Sequence, residues 1–438
     1  MEKYSEYKDS GIEWLDEIPE NWKLDRIKNI GTVKARVGWK ALKASEYVKT
    51  GYFFLSTPNI KKVNIDYKNV NYITKERYYE SPEIMLKDGD ILLVKDGSTL
   101  GIVNIITNLE AEGTVNSSIG VLRLKKQHNK YFYYFLKSNY LQNIIGLKKE
   151  GMGVPHLFQK DINNFTLSIP PLKEQTQIAN YLDVKTTAID KKVNLLQQKI
   201  KHYKAYRKTL INETVTKGLD KTVKLKDSGI DWIGEIPEHW EVKRIKDIFN
   251  TLAGGTPSTK EKSFWIGEIP WIPSGAVQNG EVNSSVIKSY ISEEALLKTS
   301  TKMARKDSIL IALTGATCSN IGYLNFDTTI NQSIVSIDSN QKYTSHRYYF
   351  YFLISAKEKI RTLMTGGAQG GINQGDVKYF KICFTSKTEQ QQIADYLDAK
   401  TATIDKIVKN IETQIVTLKE LRKTLINEVV TGKVKVSA

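Results

Sequence analysis

Cysteine is scarce in this chain of 438 residues: there are two, Cys318 and Cys383. Two thiols exclude a disulfide scaffold and a cysteine-based zinc cluster, and they suit a reducing compartment. The five histidines are scattered, with no pair at metal-ligand spacing, so no metal site is expected. Apolar runs such as Ile91–Val94 are far shorter than the ~18 residues that span a bilayer. No membrane partner is expected. Residues 1–10 are polar, so a secretory signal is not expected and a cytoplasmic location is. Catalytic motifs are missing too. Thr431-Gly432-Lys433 lacks the preceding glycine and following Ser/Thr of a phosphate-binding loop. Pro170-Pro171 follows Ile169, not the Asn or Asp of an amino-methyltransferase motif. Asp90 and Lys95 suggest a metal-nuclease centre, but Leu93 stands where its second acid belongs. A non-catalytic chain is expected.

Charge is abundant and mostly of one sign. Lys plus Arg number 64 against 48 Asp plus Glu, a net +16. Residues 1–220 carry +10 and the remainder +6, so both halves are basic. Such a balance points to nucleic acid as partner, or to lysine used simply for solubility.

The chain is written twice. Lys8–Lys28, with its Glu17-Ile18-Pro19-Glu20 and Trp22, returns as Lys226–Lys246 with 14 of 21 positions identical. Residues 174–213 return as 389–428 with 23 of 40 identical, including Arg207–Glu213 unchanged at Arg422–Glu428. Each copy joins a mixed α/β (α+β) domain of short strands to one long helix. Aromatic segments Tyr131–Ile145 and Arg347–Leu363 read as helices inside the domains. The four tryptophans of the first block, Trp14, Trp22, Trp232 and Trp240, read as core.

Leu182, Ile189, Leu196, Tyr203 and Leu210 recur every seven residues, with Thr186, Val193, Ile200 and Arg207 beside them. The second copy repeats this with Leu397, Ile404, Ile411, Leu418 and Leu425, beside Thr401, Val408, Ile415 and Arg422. A heptad seam of this length predicts two helices paired as an antiparallel coiled coil, in a pseudo-two-fold molecule. The boundaries follow: domain 1 over 1–168, helix over 169–221, domain 2 over 222–383, helix over 384–438.

The copies disagree most over 34–90 and 252–306, as expected if two domains read two different ligands. On DNA that means two half-sites of a non-palindromic target. Lys34, Arg36, Lys40 and Lys43 form a basic stretch, and Gly254, Gly255, Thr256, Ser258 and Lys260 occupy its place in the second copy; cations and small donors suit phosphates. Asn116-Ser117 and Asn331-Gln332 recur in both copies, where Asn and Gln either read adenine or hold a turn. Glycine-rich loops carry Gly151, Gly153 and His156 in one copy and Gly367, Gln369 and Gly370 in the other, and glycine backbones permit close approach to phosphates.

These features together resemble the DNA-specificity subunit of type I restriction-modification enzymes over essentially the whole chain. The resemblance rests on the duplicated Glu-Ile-Pro-Glu-x-Trp block, Gly254-Gly255-Thr256-Pro257-Ser258, Trp265–Ile272, and the Glu-Gln-x-Gln-Ile-Ala-x-Tyr-Leu-Asp helix start. It implies two target-recognition domains that read a bipartite DNA sequence, with the helices as spacer. It implies docking of two methyltransferase subunits that use S-adenosylmethionine, and optionally two restriction subunits that use ATP and Mg. The chain itself would then bind no cofactor. A stand-alone bipartite DNA-binding regulator and an unrecognised nuclease or methyltransferase are the alternatives.

Overall fold

The computed structural model describes residues 2–36, 42–147, 155–339, 343–366 and 370–436. The chain divides into two compact units, residues 1–197 with 412–438 and residues 198–411. The division runs through both long helices rather than at the ends of the globular domains. Each unit thus contains a globular α/β domain, the beginning of one long helix and the end of the other.

In the first unit a four-stranded antiparallel sheet orders Gly31–Lys34, Ile119–Leu124, Ile91–Val94 and Val103–Ile105. Ile91-Leu92-Leu93-Val94 is buried at every position. Alternate side chains of a strand face opposite ways, so an unbroken apolar run needs cover on both faces. Ile91 and Leu93 enter a core with Tyr131, Phe132 and Phe135 of the helix Asn129–Leu136. Leu92 and Val94 enter a second core with Phe53, Leu55, Val115 and Ile119. That second core belongs to a lobe built around the three-stranded sheet of Asn71–Ile73, Tyr52–Leu55 and Gly113–Val115.

The second unit repeats the plan. Its five-stranded sheet orders Phe249–Ala253, Ile334–Ser339, Ile309–Ala312, Ile321–Leu324 and Gly280–Val282, the last pair parallel. Ile309 and Ile311 face Tyr348, Tyr349 and Phe352 of the helix His346–Arg361. Leu310 and Ala312 face the lobe core of Ile272, Val277, Val282, Ile330 and Ile334.

The long helices span Leu172–Lys217 and Lys387–Val430. Pro170 and Pro171 lie just outside the first, and Gly218 and Gly432, at φ +73° and +78°, close the two C-termini. Within the first unit Ile178, Ala179 and Leu182 share a core with Leu425, Ile426 and Val429. Arg422 reaches Asp190 at 3.0 Å, so the two segments run antiparallel. Within the second unit Ile393, Ala394 and Leu397 share a core with Ile211 and Val215, and Arg207 reaches Asp405 at 3.3 Å. Of the seam positions, Leu182, Leu397, Ile404, Val408, Ile411, Ile415 and Leu425 are buried. Ile189, Val193, Leu196, Ile200, Tyr203, Leu210 and Leu418 are half-buried.

Two expectations need correction. The segment Tyr131–Ile145 is not one helix but two, Asn129–Leu136 and Asn139–Leu147. Buried Ser138 restarts it, its hydroxyl accepting from the Leu141 amide at 3.3 Å as N-cap serines do. Trp22 and Trp240 are fully buried, but Trp14 is 44 % exposed. The adjacent Leu15 takes the core place instead. Trp232 is half-buried, packing on Phe352 and Phe380.

Carbonyls at a helix C-terminus lack intrahelical partners. Buried tyrosines serve them here: Tyr131 donates to Val430 O at 3.0 Å and Tyr348 to Val215 O at 2.9 Å. Ser168 also donates to Val430 O, whereas no second side-chain donor to Val215 O is seen among the described residues. Tyr348→Phe should therefore cost about 1–3 kcal/mol and Tyr131→Phe less, read as a larger drop in thermal midpoint for the former.

Candidate nucleic-acid interface

Three loops meet at the strand ends of each unit. In the first unit the Lys95 amide donates to Ser118 O at 2.8 Å, the Leu157 amide to Lys95 O at 2.8 Å and the Gly97 amide to Pro155 O at 3.0 Å. In the second the Leu313 amide donates to Ser333 O at 2.8 Å and the Ile372 amide to Leu313 O at 2.9 Å. Thr314 bridges to Gly371 as Asp96 does to His156. Two of these backbone bonds and the bridge thus recur in both copies, while the side chains they present differ. Lys95, Asp96 and His156 stand in one copy; Leu313, Thr314 and Gly371 stand in the other. Asp96 receives the His156 ring nitrogen and, at 3.3 Å, the Lys95 ammonium.

The repeated asparagines hold turns. Asn116 Oδ1 accepts from the Ser118 amide and Asn331 Oδ1 from the Ser333 amide, each at 3.2 Å. Both residues remain half-exposed, as does Ser117, and Gln332 is exposed. The Thr256 hydroxyl donates to the Gln332 side-chain oxygen, bringing the 254–260 loop to this turn.

That loop is held by two tryptophans. Trp271 Nε1 donates to Gly255 O at 3.1 Å and Trp265 Nε1 to Ser258 O at 3.2 Å. The rings pack edge to face with centroids 5.1 Å apart. Gly254 and Gly255 spend their amides internally, on Ile334 O and Ile330 O. Their lack of side chains serves close backbone packing, since a Cβ on Gly254 would lie 2.1 Å from Asn331 O. Ser258 and Lys260 are exposed.

In the first copy Lys34 and Lys43 are exposed, but Arg36 is not. Its guanidinium is buried, donating to Val115 O and Ser81 Oγ at 3.4 and 3.3 Å, with Glu80 at 3.8 Å. Burial, and Arg77 beside it, lower its pKa. Arg36 braces the lobe from inside rather than facing a phosphate. Gly370 is buried. Lys40, Gly151, Gly153, Gly367 and Gln369 lie outside the described residues. Asp90 forms a two-pronged pair with Arg123 at 2.7 and 2.9 Å, which accounts for that acid without a metal. Among the described residues no group of three His, Cys, Asp or Glu could hold a metal ion. No helix among them is long and apolar enough to cross a membrane.

A cleft lies between lobe and long helices in each unit. In the first unit Lys130 and Tyr134 both reach Asp183, at 2.5 and 2.7 Å. In the second Arg347 and Tyr351 both reach Asp398, at 2.7 and 2.6 Å. Above the first cleft Lys137 donates to Lys62 O at 3.1 Å and to Tyr133 Oη at 2.6 Å. Burial, aided by Arg422 and opposed by Asp190, pushes this ammonium down to about 7.

Gly254→Ala should lower stability by about 1–3 kcal/mol through overpacking, whereas Gly275→Ala, with nothing within 4 Å, should leave the melting temperature unchanged. For Lys137 the unfolded chain keeps its proton up to the ordinary lysine range, and the folded chain releases it near 7. Between those limits the unfolded state binds more protons, so this group's contribution to stability rises with pH. The melting temperature of wild type relative to Lys137→Met should therefore climb from pH 6.5 to pH 9; a flat or falling difference contradicts it.

Residues 19–202 and 237–417 match the type I restriction modification DNA specificity domain. The chain is 25% identical over 428 residues to the type I restriction enzyme MjaVIII specificity subunit of Methanocaldococcus jannaschii, covering 96% of this chain and 94% of that one. It is 21% identical over 428 residues to the EcoKI specificity subunit of Escherichia coli, covering 95% and 90%. Its fold matches a chain solved in work on complex assembly and conformational transition of the type I R-M system, at TM-score 0.74 and 15% identity over 95% of this chain and 99% of that one. It also matches the HsdS subunit from Thermoanaerobacter tengcongensis, at TM-score 0.58 and 14% identity over 95% and 98%. The chain belongs to the type I restriction-modification DNA specificity family.

Proposed function

We propose that this chain reads an asymmetric bipartite target in double-stranded DNA, one half-site per recognition domain, and directs adenine methylation and restriction by partner subunits. The observation that carries the reading is the three-loop framework built twice with different side chains. One framework gives both domains the same approach to a duplex. Different side chains at its tip let each read different base edges. Exposed lysines such as Lys34, Lys43 and Lys260 supply sequence-independent attraction to phosphates.

In this reading the chain is non-catalytic. Two methyltransferase subunits bring S-adenosylmethionine and two restriction subunits bring ATP and Mg, none of which this chain holds itself. The paired long helices act as a ruler, and half-sites on one face of the duplex lie about one turn, ~34 Å, apart. A cytoplasmic location follows from the function, because the DNA is there.

Adenine methylation mapped across the host genome, with and without the gene, tests this directly. One asymmetric gapped motif should vanish with the gene. Shortening both long helices by four residues should change the gap while each half-site sequence persists. Methylation that is indifferent to the gene, combined with tight specific DNA binding by the purified chain, would instead make it a stand-alone regulator. DNA cleavage or methylation by the purified chain alone would make it an enzyme.

A further inference from the structure

The lobe of the second unit carries the Asn331 turn and has a core of its own. Its core joins Ile330 and Ile334, which flank the Asn331 turn, to Val282 on the strand Gly280–Val282. That strand is the edge of the five-stranded sheet, paired on one side only, to Ile321–Leu324. A cleft of about 480 Å³, lined by Gly280 and Glu281 of this strand, separates the lobe from both long helices. Side-chain packing is interrupted there, so what crosses the cleft adds to the hold that the lobe already has through Leu310 and Ala312 of the sheet.

Arg347 crosses it. One guanidinium nitrogen, Nη1, donates to Glu281 of the edge strand. Another, Nε, donates to Asp398 of the second long helix at 2.7 Å. The guanidinium lies 4.8, 5.2 and 5.4 Å from the ring centroids of Tyr323, Phe350 and Tyr351. Asp398 is itself oriented by the Tyr351 hydroxyl at 2.6 Å, and Glu281 by Asn325 Nδ2 at 2.8 Å. A planar, permanently charged fork gripping two carboxylates and stacked on aromatic rings is a stiff tether, which an ammonium would not reproduce.

Among the described residues the first unit shows no such bridge. Lys130, in the matching place, reaches Asp183, but the lobe residues lining that cleft, including Val63, Asn64, Ile65 and Tyr67, carry no charge. There Lys137 donates to the Lys62 carbonyl of the lobe.

We propose that Arg347 is a positioning residue for target reading: by tying the second lobe to the second long helix, it fixes the base-pair gap at which that lobe can engage its half-site. The inference rests on the bipartite-reading function above. One base pair advances a site by ~3.4 Å. A lobe free to tilt by that much across an open cleft could engage a half-site one pair nearer or farther, and a two-carboxylate bridge removes the freedom. The bases read would not change, because Arg347 does not belong to the reading loops.

The test is methylation mapping in the host with the chromosomal gene replaced by Glu281→Gln, Arg347→Gln or Lys130→Gln. Glu281→Gln removes the carboxylate charge at the lobe end only and leaves Arg347 on Asp398. Both Glu281→Gln and Arg347→Gln should keep methylation at the native gap and raise it about tenfold or more at gaps one pair shorter or longer, with both half-site sequences unchanged. Lys130→Gln should keep the gap strict. Strict gaps in Glu281→Gln and Arg347→Gln overturn the proposal. Equal relaxation by Lys130→Gln overturns it too, by making the effect a general loosening of the clefts. Loss of methylation at every gap by Glu281→Gln assigns the pair to folding and also overturns it. If wild type methylates no gapped motif at all, the function proposed above fails first and takes this inference with it.

Discussion

A sheet that is apolar on both faces must be covered twice, and that constraint organises each half of this protein. Ile91 and Leu93 look one way and Leu92 and Val94 the other; Ile309 and Ile311 against Leu310 and Ala312 repeat the arrangement. One face takes an aromatic helix with the long-helix segments behind it, and the other takes the lobe. The long helices are therefore part of the core rather than arms attached to a finished domain. Fully burying one Leu or Ile contributes ~1.5–3 kcal/mol, so Ile178 and Leu182, or Ile393 and Leu397, each fix a helix start firmly. The lobe and the loops at the strand ends are where such a sandwich leaves room to vary.

This explains what the duplicated motifs are for. In Glu-Gln-x-Gln-Ile-Ala-x-Tyr-Leu-Asp, the isoleucine, alanine and leucine fill the core. The first glutamine, buried as Gln175 and Gln390, accepts from the amide at the start of the aromatic helix, His128 at 3.0 Å and Ser345 at 2.8 Å. It also donates to Pro170 O or Thr385 O behind it. The final aspartate takes a tyrosine hydroxyl and a cation. In Arg-Lys-Thr-Leu-Ile-Asn-Glu, the arginine finds an aspartate of the other long helix. A buried polar group left unpaired is costly, so residues with such duties leave little room for replacement.

The architecture was legible in the sequence where burial imposed a period or a repeat. The duplication, the heptad seam and the terminal glycines all belong to that class. The helix break at Ser138 was not, because six consecutive apolar and aromatic residues, Tyr131–Leu136, hide helical periodicity and a single serine cap is a weak signal. The site was less legible than the fold. Arg36 looked like a phosphate ligand by its neighbours in sequence, yet its partners, Ser81 and Val115, are distant in sequence. Gly254 and Gly255 looked like a phosphate cradle, but the need for glycine comes from backbone packed against them. Trp265 and Trp271 stood out only as part of a family resemblance; their work on the loop carbonyls depends on a pairing that no local pattern encodes.

The differences between the copies follow the same division. Positions facing the helix-side core are repeated because their volume and partners are fixed by neighbours that are themselves repeated. Positions facing solvent or an open cleft answer to nothing inside the molecule, so two chemistries can occupy one backbone. The joint between lobe and helix lies on that border. Asp183 and Asp398 sit on the repeated helix and are matched. The lobe side is solvated and unmatched, with an acid in one copy and uncharged residues in the other. A joint that is half constrained and half free is where a second-copy device such as the Arg347 bridge can arise without disturbing either core.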